Sequence, residues 1–65
     1  MLKVSRRKLP PIAKAILKDC TGDGNRCELA SLPDLDRAIL LDTLRWAMPE
    51  IDWDDVSEIA VEEVQ

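Results

Sequence analysis

The apolar positions of this chain fall into groups with helical spacing, separated by proline and glycine. Pro10-Pro11 precedes Ile12, Ala13, Ala15, Ile16 and Leu17, with Lys14 and Lys18 one turn apart on the opposite side. Proline suits a helix's first turn, where its missing N–H would be unpaired anyway. The pattern ends at Asp19 or Cys20, and Gly22 and Gly24 supply the permissive backbone of a turn. A short helical piece is expected around Glu28 to Ala30. The next firm element opens at Ser31 or Leu32, where Ser31 and Asp34 are spaced as a capping box, Pro33 suits a first turn, and Asp34 and Asp36 favour the helix dipole.

From there Leu35, Ala38, Ile39, Leu40, Leu41, Leu44, Trp46, Ala47 and Met48 form the most apolar segment, which stops before Pro49. At about 100° per residue these positions do not make one stripe. Leu32, Leu35, Ile39 and Trp46 lie on one side, and Leu40, Leu41, Leu44, Ala47 and Met48 on another. Such a helix wants cover on two sides. The first and last helices of one chain would supply it, and so would a second chain, so monomer and homodimer both stay open.

A last helix is expected from Asp52 or Asp54, either of which can cap it, with Val56, Ile59, Ala60 and Val64 at helical spacing and Asp55, Glu58 and Glu62 on the opposite face. The β-branched residues weaken that reading, and the Ile51, Trp53 alternation also fits a short strand. The resulting expectation is an all-α fold: a compact three-helix domain over residues 1–65, with a fourth element if the short extra helix forms.

Size and composition narrow the picture. A chain of 65 residues buries only about 60% of its unfolded surface, so its margin of stability is thin. Trp46 and Trp53 are the only aromatic residues, which makes the core aliphatic. The charged start from Met1 to Lys8 leads into an apolar stretch broken by Pro10, Pro11, Lys14 and Lys18, which does not fit a secretory signal. No run approaches the ~18 apolar residues of a membrane span, and the expected compartment is the cytoplasm. There the two cysteines, Cys20 and Cys27, would be thiols, although their spacing permits a bridge. Without histidine, two thiols leave a tetrahedral zinc site half empty.

Charge changes the picture most. From Met1 to Lys18 there are six cations (Lys3, Arg6, Arg7, Lys8, Lys14, Lys18) and no acid; from Glu50 to Gln65 there are seven acids (Glu50, Asp52, Asp54, Asp55, Glu58, Glu62, Glu63) and no cation. The net charge is −4. Charge separated in this way governs long-range attraction and association rate rather than fold.

The segment Asp19 to Ala30 resembles an EF-hand or dockerin calcium loop. Asp19, Thr21 and Asp23 match ligand positions one, three and five, Gly24 the turn glycine, and Asn25 the carbonyl at position seven. Arg26 then stands where an apolar residue is usual and Ala30 where the bidentate carboxylate should be. A structural turn with no metal is the favoured reading, and a calcium-stabilised interaction module the second alternative. Catalysis finds little support: there is no histidine, no nucleophile motif around Ser5, Ser31 or Ser57, and no cofactor signature. Arg6, Arg7, Lys8, Lys14 and Lys18 form a secondary basic patch able to meet phosphates. A DNA-binding regulator or antitoxin-like adaptor is therefore the first alternative, opposed by the net charge and by Asp36 and Asp42 on the later helix.

The favoured partner-binding residues are Asp52, Trp53, Asp54, Asp55, Glu58, Glu62 and Glu63. A row of carboxylates on one rigid helix can occupy a site built for nucleic-acid phosphates. Trp53 amid acids has the make-up of an interface anchor with a polar rim, or else folds back on Leu44 or Trp46 as a staple across the Pro49 turn. In size, absence of enzyme motifs and patterned charge, the chain resembles the small inhibitors carried by bacteriophages and mobile elements, anti-CRISPR proteins among them. That resemblance implies a non-enzymatic inhibitor whose acidic face engages a basic surface of a host nucleic-acid-binding complex. The Arg6-Arg7-Lys8 arm departs from a uniformly acidic mimic and leaves room for a two-sided mode.

Overall fold

The computed structural model describes residues 2–22 and 24–63. It is a mixed α/β structure, not the three-helix domain that the apolar spacing predicts. Strand β1 (Leu2–Ser5) leads through a 3-10 turn at Arg6–Lys8 into helix α1 (Pro11–Thr21); strand β2 (Arg26–Glu28) and a 3-10 turn at Leu29–Ser31 lead into helix α2 (Asp34–Ala47); a last 3-10 turn, Trp53–Asp55, leads into strand β3 (Glu58–Glu62). The strands lie in the order β1-β3-β2, with β3 parallel to β1 and antiparallel to β2.

The third helix fails because its segment is the central strand. The strand carries apolar residues on both faces, Ile59 and Val61 toward the core and Ala60 between Lys3 and Arg26 on the other, so no alternation betrays it. Ile59, Ala60 and Val61 are all buried, and with Val56 they mimic the i, i+3, i+4 spacing of a helix. Ile and Val lose side-chain freedom in a helix and pack well on a pleated sheet, so β-pairing wins once two neighbours supply backbone partners. Those neighbours are short. β1 alternates, with Val4 buried and Lys3 exposed, and β2 turns only Cys27 inward. Val64, assigned to the same helix by its spacing, lies outside the described residues.

Both helices form where expected. α1 buries Ala13 and Leu17 and ends at Gly22, whose φ of +58° is a left-handed angle that a side chain disfavours. α2 begins with Pro33 at its N-cap, and its capping box does not form: Ser31 Oγ instead donates to the Glu28 carbonyl at 2.7 Å. The hydroxyl thus fastens the 3-10 turn that precedes the helix. The expected helical piece at Glu28 to Ala30 resolves into the end of β2 and the start of that turn.

The core lies between the helices and one face of the sheet. Leu17, Leu40, Leu44, Ile59 and Cys27 are its largest fully buried side chains, flanked by Val4, Leu9, Leu29, Met48 and Trp53. Cys20 and Cys27 form a disulfide that ties the last turn of α1 to β2, with Cα atoms 5.4 Å apart. Closing this loop contributes about 2.5 kcal/mol on the chain-entropy model, a large share for so small a core. On the other face, Lys3, Ala60 and Arg26 stand in one row. Lys3 pairs with Glu62 at 3.8 Å and Arg26 with Glu58 at 3.6 Å.

Candidate protein-binding face

The parallel pairing of β1 with β3 brings the basic start of the chain to its acidic end. Besides the Lys3–Glu62 contact, Arg6 Nε lies 3.3 Å from Glu63 Oε1. Of the acids that the sequence offers as a binding row, Glu58, Glu62 and Glu63 are therefore each beside a cation. They do not form one helical row with Asp52, Asp54 and Asp55: Glu58 and Glu62 belong to β3, and the aspartates to the turn before it.

That turn is an acidic corner held from beneath. Trp53 is only 3% exposed, and its Nε1–H donates to the Met48 carbonyl at 2.9 Å. Trp53, expected as an interface anchor or as a staple across the Pro49 turn, thus has its ring buried and its N–H on the residue before Pro49. An indole buried at one end of the core, with its N–H satisfied, fixes the backbone around it. Ile51 N–H bonds back to Met48 O, Asp55 N–H to Asp52 O and Val56 N–H to Trp53 O. Asp52, Asp54 and Asp55 are left exposed around the buried ring.

The three carboxylates differ in their surroundings. Asp54 accepts a 2.5 Å hydrogen bond from Arg45 Nη2, which ties the corner to the end of α2. Asp52 and Asp55 form no ion pair among the described residues. The Asp55 carboxyl is pushed above the ordinary aspartate value, first by hydrogen bonding with Asp52 and then by the negative charge of Asp52, with smaller contributions from burial and Asp54. Crowded negative charge of this kind is relieved by an incoming cation.

Beside the corner stands a feature that the sequence points to without locating. Trp46 is 84% exposed and lines a shallow depression with Asp42, Arg45 and Pro49. Along the same side of α2, Leu35 is 71% exposed and Ile39 39%. The two-sided apolar pattern of this helix is thus covered on one side only. Leu40, Leu44 and Met48 enter the core, whereas Leu35, Ile39 and Trp46 face solvent and Leu32, just before the helix, is buried. The exposed tryptophan is Trp46, and the signal that could have found it is its place opposite Leu40 and Leu44 on the helical wheel.

Lys14 and Lys18 lie exposed on α1, and Arg7 and Lys8 in the turn before it; none makes an ion pair among the described residues. In the calcium-loop segment, Asp19 belongs to the last turns of α1, Asp23 lies outside the described residues, and the Asn25 carbonyl accepts the Val61 N–H at 2.7 Å. The carbonyl at ligand position seven thus serves the sheet. No group of three or more potential metal ligands occurs among the described residues. A groove of about 380 Å³ between α1 and the start of α2 carries Asp19 and Asp36 over Ile16 and Leu32. Its hydroxyl, from Ser31, donates to the Glu28 carbonyl. No described helix is long and apolar enough to cross a membrane. No protein-family model, curated protein or solved structure matches the chain.

Proposed function

We propose that this protein is a non-enzymatic binding module of the inhibitor type, which engages a basic surface of a host nucleic-acid-binding complex through Trp46 and the acidic corner of Asp52, Asp54 and Asp55. The observation that carries this reading is the juxtaposition of an almost fully exposed tryptophan with a corner of carboxylates anchored by a buried one. Tryptophan dominates interface energetics when a polar rim excludes water from around it. Carboxylates held in place by a packed turn lose little freedom on binding, so more of their attraction to Arg and Lys appears as affinity. Glu58, Glu62 and Glu63 contribute to the field of this end of the molecule rather than to direct contact, because each already faces a cation.

In the reducing cytoplasm, where such an inhibitor would act, the Cys20–Cys27 bridge would open. Neither cysteine belongs to the corner or to the outer side of α2, so the binding face does not depend on it for chemistry. The DNA-binding alternative keeps Arg7, Lys8, Lys14 and Lys18, which make no ion pair among the described residues, but Arg6 lies beside Glu63 and the net charge of −4 opposes approach to a duplex.

The test is affinity capture from bacterial lysate at low salt by the parent, by Asp52→Lys with Asp55→Lys, and by Trp46→Ala. Capture of a stoichiometric nucleic-acid-binding complex by the parent, lost in both variants while their circular dichroism is unchanged, supports the reading. Recovery of duplex DNA alone, or equal capture by all three proteins, overturns it.

A further inference from the structure

Leu35, Ile39, Asp42 and Trp46 follow one another at intervals of four, three and four residues. This is the seam spacing of a coiled coil, in which every member of the row inserts between residues of a facing helix. The seam runs about 16 Å along α2, close to three helical turns. Its flank holds Asp36 and Thr43 on one side and Ala38 and Arg45 on the other. Arg45 is turned to Asp54, and Asp42, the one charged member of the seam, forms no ion pair among the described residues.

We infer that the outer side of α2 receives a cationic amphipathic helix of a partner protein, with apolar residues against Leu35, Ile39 and Trp46 and a Lys or Arg against Asp42. This inference rests on the proposed binding role of Trp46 and names the form of the partner.

Charge decides between such a helix and a second copy of this chain. In a parallel pair of α2 helices Asp42 meets its own counterpart. In an antiparallel pair that sets Leu35 against Trp46, Asp42 falls opposite Ile39. Either arrangement buries a carboxylate without a cation, which costs several kcal/mol. Each copy also carries a net charge of −4, and the antiparallel pairing places Asp34 and Asp36 of one copy near the acidic corner of the other. A lysine or arginine facing Asp42 removes the first penalty, and a basic helix turns the second into attraction.

The test uses two synthetic three-heptad peptides, leucine at the seam positions and lysine or glutamate at one central seam position, held below the concentration at which they self-associate. Trp46 reports binding through a blue shift of its emission, because Trp53 is already buried. The expected result is that the lysine peptide binds the parent at least tenfold more tightly than the glutamate peptide, and that Asp42→Lys inverts the order. Equal affinities, no binding of either peptide, or an order unchanged in Asp42→Lys would overturn the inference. Sedimentation showing the protein alone as a dimer with blue-shifted Trp46 emission would assign the seam to a second copy instead. If the peptides fail but the parent still captures a complex that the corner variant loses, only the helical form of the partner falls. Failure of both experiments removes the binding reading as well.

Discussion

The two tryptophans are seven residues apart and sit in opposite worlds. Trp53 is buried in the core with its N–H bonded to a backbone carbonyl, whereas Trp46, the penultimate residue of α2, stands in solvent. Trp46 stands on the outer side of a helix next to Arg45, and Trp53 opens a turn among acids. The difference is that the chain beyond Pro49 folds back over Met48 and Leu44 and leaves the far side of the helix uncovered. An indole next to acids is therefore no guide to exposure. What matters is whether the backbone returns over it.

The sharpest way to break this comparison is to remove each ring in turn. Trp53→Ala should cost roughly 3–5 kcal/mol and lower the melting temperature steeply, since it empties a large core position and removes the shorter of the two hydrogen bonds to the Met48 carbonyl. Trp46→Ala should change stability by no more than about 0.5 kcal/mol while costing about 2 kcal/mol or more of partner binding. Thermal melts of the two variants check the first pair of effects. Equal loss of stability would mean that Trp46 is covered in solution.

Opening the disulfide sharpens the same contrast on a smaller scale. Cys27 lies in the core beside Ile59, and its bridge ties α1 to the sheet on the inner side alone. Reduction, or Cys20→Ser with Cys27→Ser, should lower stability by about 2.5 kcal/mol in denaturant titrations, and Trp46 emission in the folded state should not move. A shift in that emission would couple the outer side of α2 to the bridge.

The smallest effect concerns the corner. Because the Asp55 carboxyl is raised above its unfolded value, its contribution to stability is present at pH below the ordinary aspartate value of 3.8 and is lost as the pH rises through the raised value. Asp52→Asn removes the main cause, so it should flatten this part of the stability-against-pH curve and make the folded protein slightly more stable at neutral pH. For the same reason, capture of a cationic partner should weaken on acidification sooner than ordinary aspartates would dictate. A curve unchanged by Asp52→Asn would contradict the close approach of the two carboxylates.

Local chemistry alone settled α1, α2 and the acidity of the corner. Pro10-Pro11 and Pro33 open helices because proline suits a first turn, Gly22 closes one because it accepts a left-handed backbone, and the wheel of residues 35–48 displays two apolar sides whatever surrounds it. Two matters were decided only by the tertiary structure. The segment from Glu58 to Glu62 became a strand because β1 and β2, distant in sequence, supplied partners for both of its edges, and that pairing also set the basic start of the chain beside its acidic end. Which apolar side of α2 would be buried depended on where the chain went after Pro49. Spacing along a helix carries the direction of each side chain but no information about what later folds against it, so only the fold decided that the side of α2 bearing Trp46 stays in solvent.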